Sequence, residues 1–195
     1  MLLNGVHLLP DLSGALIWPQ RQLLAVADPI DAADARAAPQ AAAEAIRRLA
    51  TLARQRRPRT IVWLGQALPA LLAAEKVPPR ECGELARLRR EHEWIWVEDE
   101  LTLAPLTFRL NAGTATKGGE IIAQPSPLAR HDGATWPAFI IDGRRLALPA
   151  FGPRPYGIEV MNPAFLSLFR RPFQAVMLVR GRIVTRARAR LEPAP

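Results

Sequence analysis

Apolar positions follow two regimes along this chain. Up to about residue 90, unbroken apolar runs alternate with longer stretches of mixed character; beyond it the runs are short and stop every few residues at Gly, Pro or Asn. "VHLLP" and "GALIWP", punctuated by Pro10, Gly14 and Pro19, predict a hairpin. "LLAVAD" and "TIVWLG" are continuous apolar runs of the kind buried on both faces of a sheet. Between them, "QAAAEAIRRLATLARQRR" predicts a helix over 40–57. Ile46, Leu49 and Ala53 share one face, Glu44 reaches Arg48 one turn on, arginines crowd the last turn, and Pro58 stops it. "PRECGELARLRREH" predicts a second helix, with Pro79 near its start and Leu85 and Leu88 facing in.

The second half reads as β structure. "WIWV", "LTLAPLTFRL", "EIIAQ", "AFIIDGRRLALPAF", "GIEVM" and "AVMLVRGRIVTRA" are separated by turn residues, with an Asp142-Gly143 hairpin signal and a short helix near "NPAFLSLFRR". The expectation is a β-meander following a strand–helix alternation. Together these predict an α/β (α+β) fold of two facing β-sheets flanked by helices. No repeat or low-complexity linker interrupts the chain, so one domain is expected over 1–184, followed by an Arg/Pro-rich tail over 185–195.

Composition narrows the class. At 195 residues and 49% apolar content the chain can bury a sizeable core. No apolar run approaches the roughly 20 residues that span a bilayer, so no membrane partner is expected. The first residues carry neither a basic leader nor a small-residue cleavage site, and Cys82 stands alone, so a reducing, cytoplasmic setting is expected. Cys82 reads as a half-buried helix residue; a nucleophile is the alternative. The formal charge is +8, and the only lysines are Lys76 and Lys117. Arginine's planar fork suits phosphate, which makes nucleic acid a candidate partner; a GC-rich coding bias explains the same composition equally well.

Several positions carry candidate chemistry. Asp28 ends a buried apolar run, which sets a carboxylate at the carboxyl end of a strand. Asp28, Asp31 and Asp34 recur every three residues and would share a helix face; capping or solvation is the alternative. Glu98, Asp99 and Glu100 end a strand and read as a turn. His7, His92 and His131 are scattered with no pair at ligand spacing; His131, beside Asp132 and near Asp142, has the best claim to a site among them, but reads first as a surface turn. No Gly-x-Ser-x-Gly elbow exists, and "TATKGG" lacks the P-loop order. Arg180, Arg182, Arg186, Arg188 and Arg190 occupy even positions and would line one face of an extended strand as a phosphate track; a solvated tail is the alternative. Arg54, Arg56, Arg57 and Arg59 form a second basic cluster, and Arg87, Arg89 and Arg90 a third. Trp94 and Trp96 share a strand face, as core residues or, alternatively, as base-stacking platforms.

The order of landmarks resembles the calcineurin-like metallophosphoesterases, in particular the small bacterial group associated with a DNA ligase and a helicase in DNA repair. "LLNGVHLLPD" and "GALIWP" look like its opening hairpin, "LLAVAD" and "TIVWLGQAL" like its first core strands, "VEDELTLAPLTF" like its mid-chain hairpin, and "LALPAFGPRPYGIEVMNPAF" like its C-terminal signature. The resemblance implies a metallophosphoesterase-like four-layer sandwich and, in active members, two divalent metals roughly 3.5–4 Å apart that activate water.

Carried over motif by motif, the resemblance implies a dismantled site. Asp-x-His falls on Asp28, Pro29 and Ile30; Gly-Asp falls on Gly65 and Gln66. The Gly-Asn-His-Asp motif has no counterpart, which implies a deleted strand between about Arg90 and Glu93; the alternative alignment puts Glu98, Asp99 and Glu100 in its place. The single His falls near Asn111, and Gly-His-x-His falls on Ala123, Gln124, Pro125 and Ser126. Only Asp28 survives as a ligand, with Gln66, Asn111 and Gln124 as degenerate equivalents. The expectation is an inactive binding or accessory protein linked to DNA repair, without a resident cofactor, with DNA, a DNA helicase or a DNA ligase as partner. The alternative is an active phosphodiesterase or nuclease using Mn2+ or another divalent metal at a site rebuilt around Asp28.

Overall fold

The computed structural model describes residues 1–29, 36–113, 118–152, 156–169 and 171–192. The chain opens with three two-residue strands, β1 (Leu2–Leu3), β2 (Val6–His7) and β3 (Leu9–Pro10). β1 and β2 pair as a small ribbon, and β3 pairs antiparallel with β4 (Leu16–Trp18), giving the expected hairpin. There follow β5 (Leu23–Ala27), α1 (Ala38–Arg56), β6 (Thr60–Leu64), α2 (Ala67–Ala73), α3 (Pro79–Glu91) and β7 (Glu93–Val97). They form a five-stranded sheet in the order β3-β4-β5-β6-β7, with β5, β6 and β7 parallel.

Two of the three helices match the sequence pattern. α1 ends where Arg57 turns left-handed and donates its N–H to Ala53 O, just before Pro58. α2 goes unpredicted because Pro69 looks like a breaker. It lies in the first turn, where an amide has no intrahelical partner to lose.

The second sheet holds β8 (Glu100–Leu103), β9 (Leu106–Asn111), β10 (Glu120–Gln124), β11 (Pro127–His131), β12 (Ala134–Ile141), β13 (Arg145–Ala147) and β14 (Ile158–Glu159). After α4 (Pro163–Leu166) it is completed by β15 (Gln174–Val179) and β16 (Arg182–Ala187). The path runs β14-β11-β12-β13-β10-β9-β8, with β15 added on β12 and β16 on β15. This corrects the expected meander. β9–β10, β10–β13 and β11–β14 pair parallel, so their connections cross over instead of returning beside the strand. Short runs between turn residues look alike in either case.

The sheets face one another. Leu23, Ala25, Val62 and Leu64 from the first pack against Phe108, Leu110, Ile121 and Phe139 from the second. The alternate residues Leu24, Val26, Ile61 and Trp63 meet Ile46, Leu49, Leu68 and Leu85 of the helices. On the far side, Ile122, Ile140, Ala175 and Met177 are covered by Phe165, Phe169 and Phe173. Four layers result, as expected, although among the described residues the outer layer over the second sheet contains one short helix, α4. Trp94 stacks on buried Trp63 at 6.2 Å and Trp96 meets it edge-on at 6.1 Å, so both pack against the core while staying half-buried. No described helix is long and apolar enough to cross a membrane.

The last described segment is tied down. β16 pairs with β15 as far as Ala187, residues 188–190 form a 3-10 turn, and Leu191 is buried beside the phenylalanines. α3 leads to β7 through His92 alone, at the place of the expected deletion.

Candidate functional site

Two parallel pairs of strands, β5–β6 in one sheet and β9–β10 in the other, end at one cleft, and the carboxyl ends of parallel strands are where such sheets leave room for ligands. Asp28 follows β5, Gln66 lies just past β6, and Asn111 and Gln124 are the last residues of β9 and β10. All four line one cavity of about 990 Å3, together with Lys76, Ser126, Tyr156 and an apolar wall that includes Ala67, Ala70, Leu71, Leu110 and Ile158. Positions separated by nearly a hundred residues in the chain are therefore brought together as the motif comparison implies. Asp31, Asp34, Ile30 and the stretch 114–117 lie outside the described residues.

Asp28 is 5% exposed. Its backbone N–H donates to Leu64 O at 2.8 Å, which locks the end of β5 to β6. Its side chain caps α2, with Oδ2 accepting the backbone N–H of Ala67 at 2.9 Å and of Leu68 at 3.1 Å. These are the first two amides of the helix, and Gln66, at the N-cap position, makes no side-chain cap of its own. The amide of Gln66 instead donates to Glu98 O at 3.2 Å. Tyr156 closes the other side, its hydroxyl donating to Asp28 O at 2.8 Å.

Close backbone approach shapes the rim. At Gly157 (φ +142) a Cβ would fall 2.0 Å from Ser126 O; its absence lets Ile158 N–H reach that carbonyl at 2.9 Å. Tyr156, Lys76 and Ser126 are lining residues that residue-by-residue motif matching passes over. Tyr156 does lie inside the C-terminal signature.

A pair of catalytic divalent metals needs a bridging carboxylate and several imidazoles or carboxylates converging on a small volume. The described lining offers one carboxylate, which already accepts two amides, and otherwise neutral amides, hydroxyls and Lys76. This donor set does not fit a dinuclear centre.

The other sequence candidates lie elsewhere. Glu98 and Asp99 are exposed in the β7–β8 turn, Glu100 pairs with Arg109 at 2.6 Å, and none of the three lines the cavity. His7 is exposed, and the ring of His92 bonds Pro58 O at 2.7 Å. His131 stands at the tip of the β11–β12 hairpin. Asp132 and Glu192 each bring a ligand atom within 4.8 Å of it and of one another, a donor set suited to a divalent cation. Asp142 is not part of that group and caps its own turn, accepting from the N–H groups of Arg144 and Arg145 at 2.9 and 2.8 Å.

The arginine track is split by the backbone. Arg180 occupies the two-residue turn with Gly181, both at positive φ; Arg182 and Arg186 share one face of β16. The alternation ends at Ala187, because Arg188 N–H returns to Phe173 O at 3.0 Å and starts the 3-10 turn that carries Arg188 and Arg190. The Arg188 guanidinium lies 5.7 Å from the centre of the Phe173 ring. Arg54 and Arg87 pair with Glu84, and Arg56 with Asp11, whereas Arg57, Arg59, Arg89 and Arg90 form no ion pair among the described residues.

No protein-family model matches the sequence, and no curated protein matches it. The structure is similar to the crystal structure of nuclease MPE from Pseudomonas putida, with a TM-score of 0.70 over 95% of this chain and 98% of that one, at 19% sequence identity. At that identity the likeness speaks for the fold. The chain has a metallophosphoesterase-like fold, and the cavity described above lies at the carboxyl ends of its core strands.

Proposed function

We propose that this protein binds through an inherited phosphoesterase scaffold and does not hydrolyse, with nucleic acid as its ligand class and a role as an accessory factor in DNA repair. One observation carries the reading: the surviving carboxylate, Asp28, caps α2, while Gln66, Asn111 and Gln124 present neutral amides where metal ligands would stand. Support for nucleic acid comes from Arg180, Arg182, Arg186, Arg188 and Arg190, which take part in none of the ion pairs among the described residues. The resemblance to the repair-associated group adds a DNA helicase or DNA ligase as a protein partner.

The test is hydrolysis of a generic phosphodiester by purified protein with Mn2+ added and after chelation. No turnover is expected in either condition. Manganese-dependent turnover that disappears in Asp28→Asn would overturn the proposal. It would establish instead the second reading, which the nuclease-like fold favours: a metal-dependent phosphodiesterase or nuclease built around Asp28.

A further inference from the structure

β7 is the last strand of one sheet and β8 the end of the β9–β8 path in the other. Because β7 also touches β9, and Ile95, Leu101 and Leu103 pack on one cluster, these two edges lie on the same side of the sandwich. Ile95, Leu101 and Leu103 from these two strands are only partly buried, although they pack on the central core. Trp94 and Trp96, on the opposite face of β7, are also half-buried. This side of the molecule leaves its core partly uncovered.

The backbone of β7 is equally open. Glu93 N–H donates to Arg59 O at 2.9 Å, and Val97 O accepts from Gly65 N–H at 3.1 Å, so residues 93, 95 and 97 bond to β6. The two-residue repeat turns the N–H and C=O of Trp94 and Trp96 outward. Edge strands are commonly guarded by proline, a bulge or a projecting charge. β7 has no proline, its register with β6 runs unbroken, and its one charged residue, Glu93, accepts from Thr60 Oγ1 at 2.8 Å on its own sheet.

The charges flanking the edge select a partner. Arg89 and Arg90 lie exposed at the entrance to β7, and Glu98 and Asp99 lie exposed at its exit; none of the four forms an ion pair among the described residues. Antiparallel pairing of two β7 strands about a two-fold axis at Ile95 would place Trp94 of one copy opposite Trp96 of the other as hydrogen-bonded pairs. The same operation sets the basic end of each strand beside the acidic end of its mate. A surface complementary to itself under a two-fold axis is what an isologous dimer requires. We infer that this chain forms a homodimer through its open sandwich side, joining the two five-stranded sheets across β7. The inference is independent of whether the cavity binds or hydrolyses.

The test uses the full chain and two charge-reversed variants, Glu98→Arg/Asp99→Arg and Arg89→Glu/Arg90→Glu, in light scattering and sedimentation at low salt. All four positions are exposed, and circular dichroism checks that each variant folds. The wild type is expected to be dimeric. Each variant alone is expected to dissociate about tenfold or more readily, because like charges now face one another. An equimolar mixture of the two is expected to form the heterodimer. A wild type that stays monomeric at high micromolar concentration overturns the inference, as does a dimer indifferent to both reversals or variants that fail to rescue one another.

Discussion

Gly65 and Asp28 are packed so closely that a Cβ on Gly65 would lie 2.2 Å from Asp28 Cβ and 2.7 Å from its Oδ2. Gly65 also has φ +145, a backbone region that L side chains rarely adopt. Gly65→Ala must therefore displace the end of β5 or the start of α2. A loss of about 2–4 kcal/mol is expected from strain and overpacking together, read as a lower urea midpoint. A midpoint within error of the wild type would mean that the two chain segments separate more easily than their hydrogen bonds indicate.

The capping role of Asp28 separates two substitutions. Asp28→Ala leaves the amides of Ala67 and Leu68 without their acceptor and is expected to cost about 1–2 kcal/mol, a usual value for a lost cap. Asp28→Asn keeps a carbonyl oxygen in the same place and is expected to retain most of that stability. Thermal unfolding of both variants distinguishes the cases. Equal losses would assign the effect to the negative charge at the start of α2 instead of to the hydrogen bonds.

Much of this architecture is legible in the residues, and the exceptions have physical causes. The unbroken apolar runs at 23–27 and 60–64 announce doubly buried strands because both faces are covered, and α1 and α3 show one apolar face each. α2 is hidden by Pro69, whose placement in a first turn is harmless only once the helix start is known. The cavity positions are legible as a set through the motif comparison. What Asp28 does there is not, because its partners belong to a helix nearly forty residues away. Nor can periodicity reveal that Glu192 reaches His131 and Asp132, or that the even spacing of arginines outlasts the strand that would align them.

Asp11 supplies a pH dependence. It is 9% exposed, and its carboxylate accepts from Ser13 N–H at 2.9 Å and from Arg56 at 2.7 Å. Burial pushes its pKa up, but the Ser13 backbone, the Ser13 side chain and Arg56 together hold it below the ordinary value. A group more acidic in the folded state contributes stability that is complete above its unfolded pKa, about 3.9, and is lost as pH falls through the lowered folded value. The stability gap between wild type and Asp11→Asn should therefore be constant at neutral pH and shrink below about pH 4. Urea midpoints collected from neutral to strongly acidic pH measure it; a gap unchanged by acid would show that Asp11 acts through packing alone.

The C-terminal arginines divide into two kinds, and the division is testable. Arg182 and Arg186 stand on one face of β16, opposite Val179 and Ala175, about 13 Å apart and without carboxylate partners among the described residues. Arg188 lies over Phe173, where its loss removes packing on the outer core. If nucleic acid follows this strand, Arg182→Ala/Arg186→Ala should weaken single-stranded DNA binding with little change in thermal stability. The slope of log affinity against log salt should fall by about 0.7 for each phosphate that is no longer neutralised. Arg188→Ala should instead lower the melting temperature. Fluorescence anisotropy at several salt concentrations, beside thermal melts of the same samples, reads both effects. Binding that persists with an unchanged salt slope in the double variant would move the phosphate-binding surface away from β16, towards the rim where Lys76 lines the cavity.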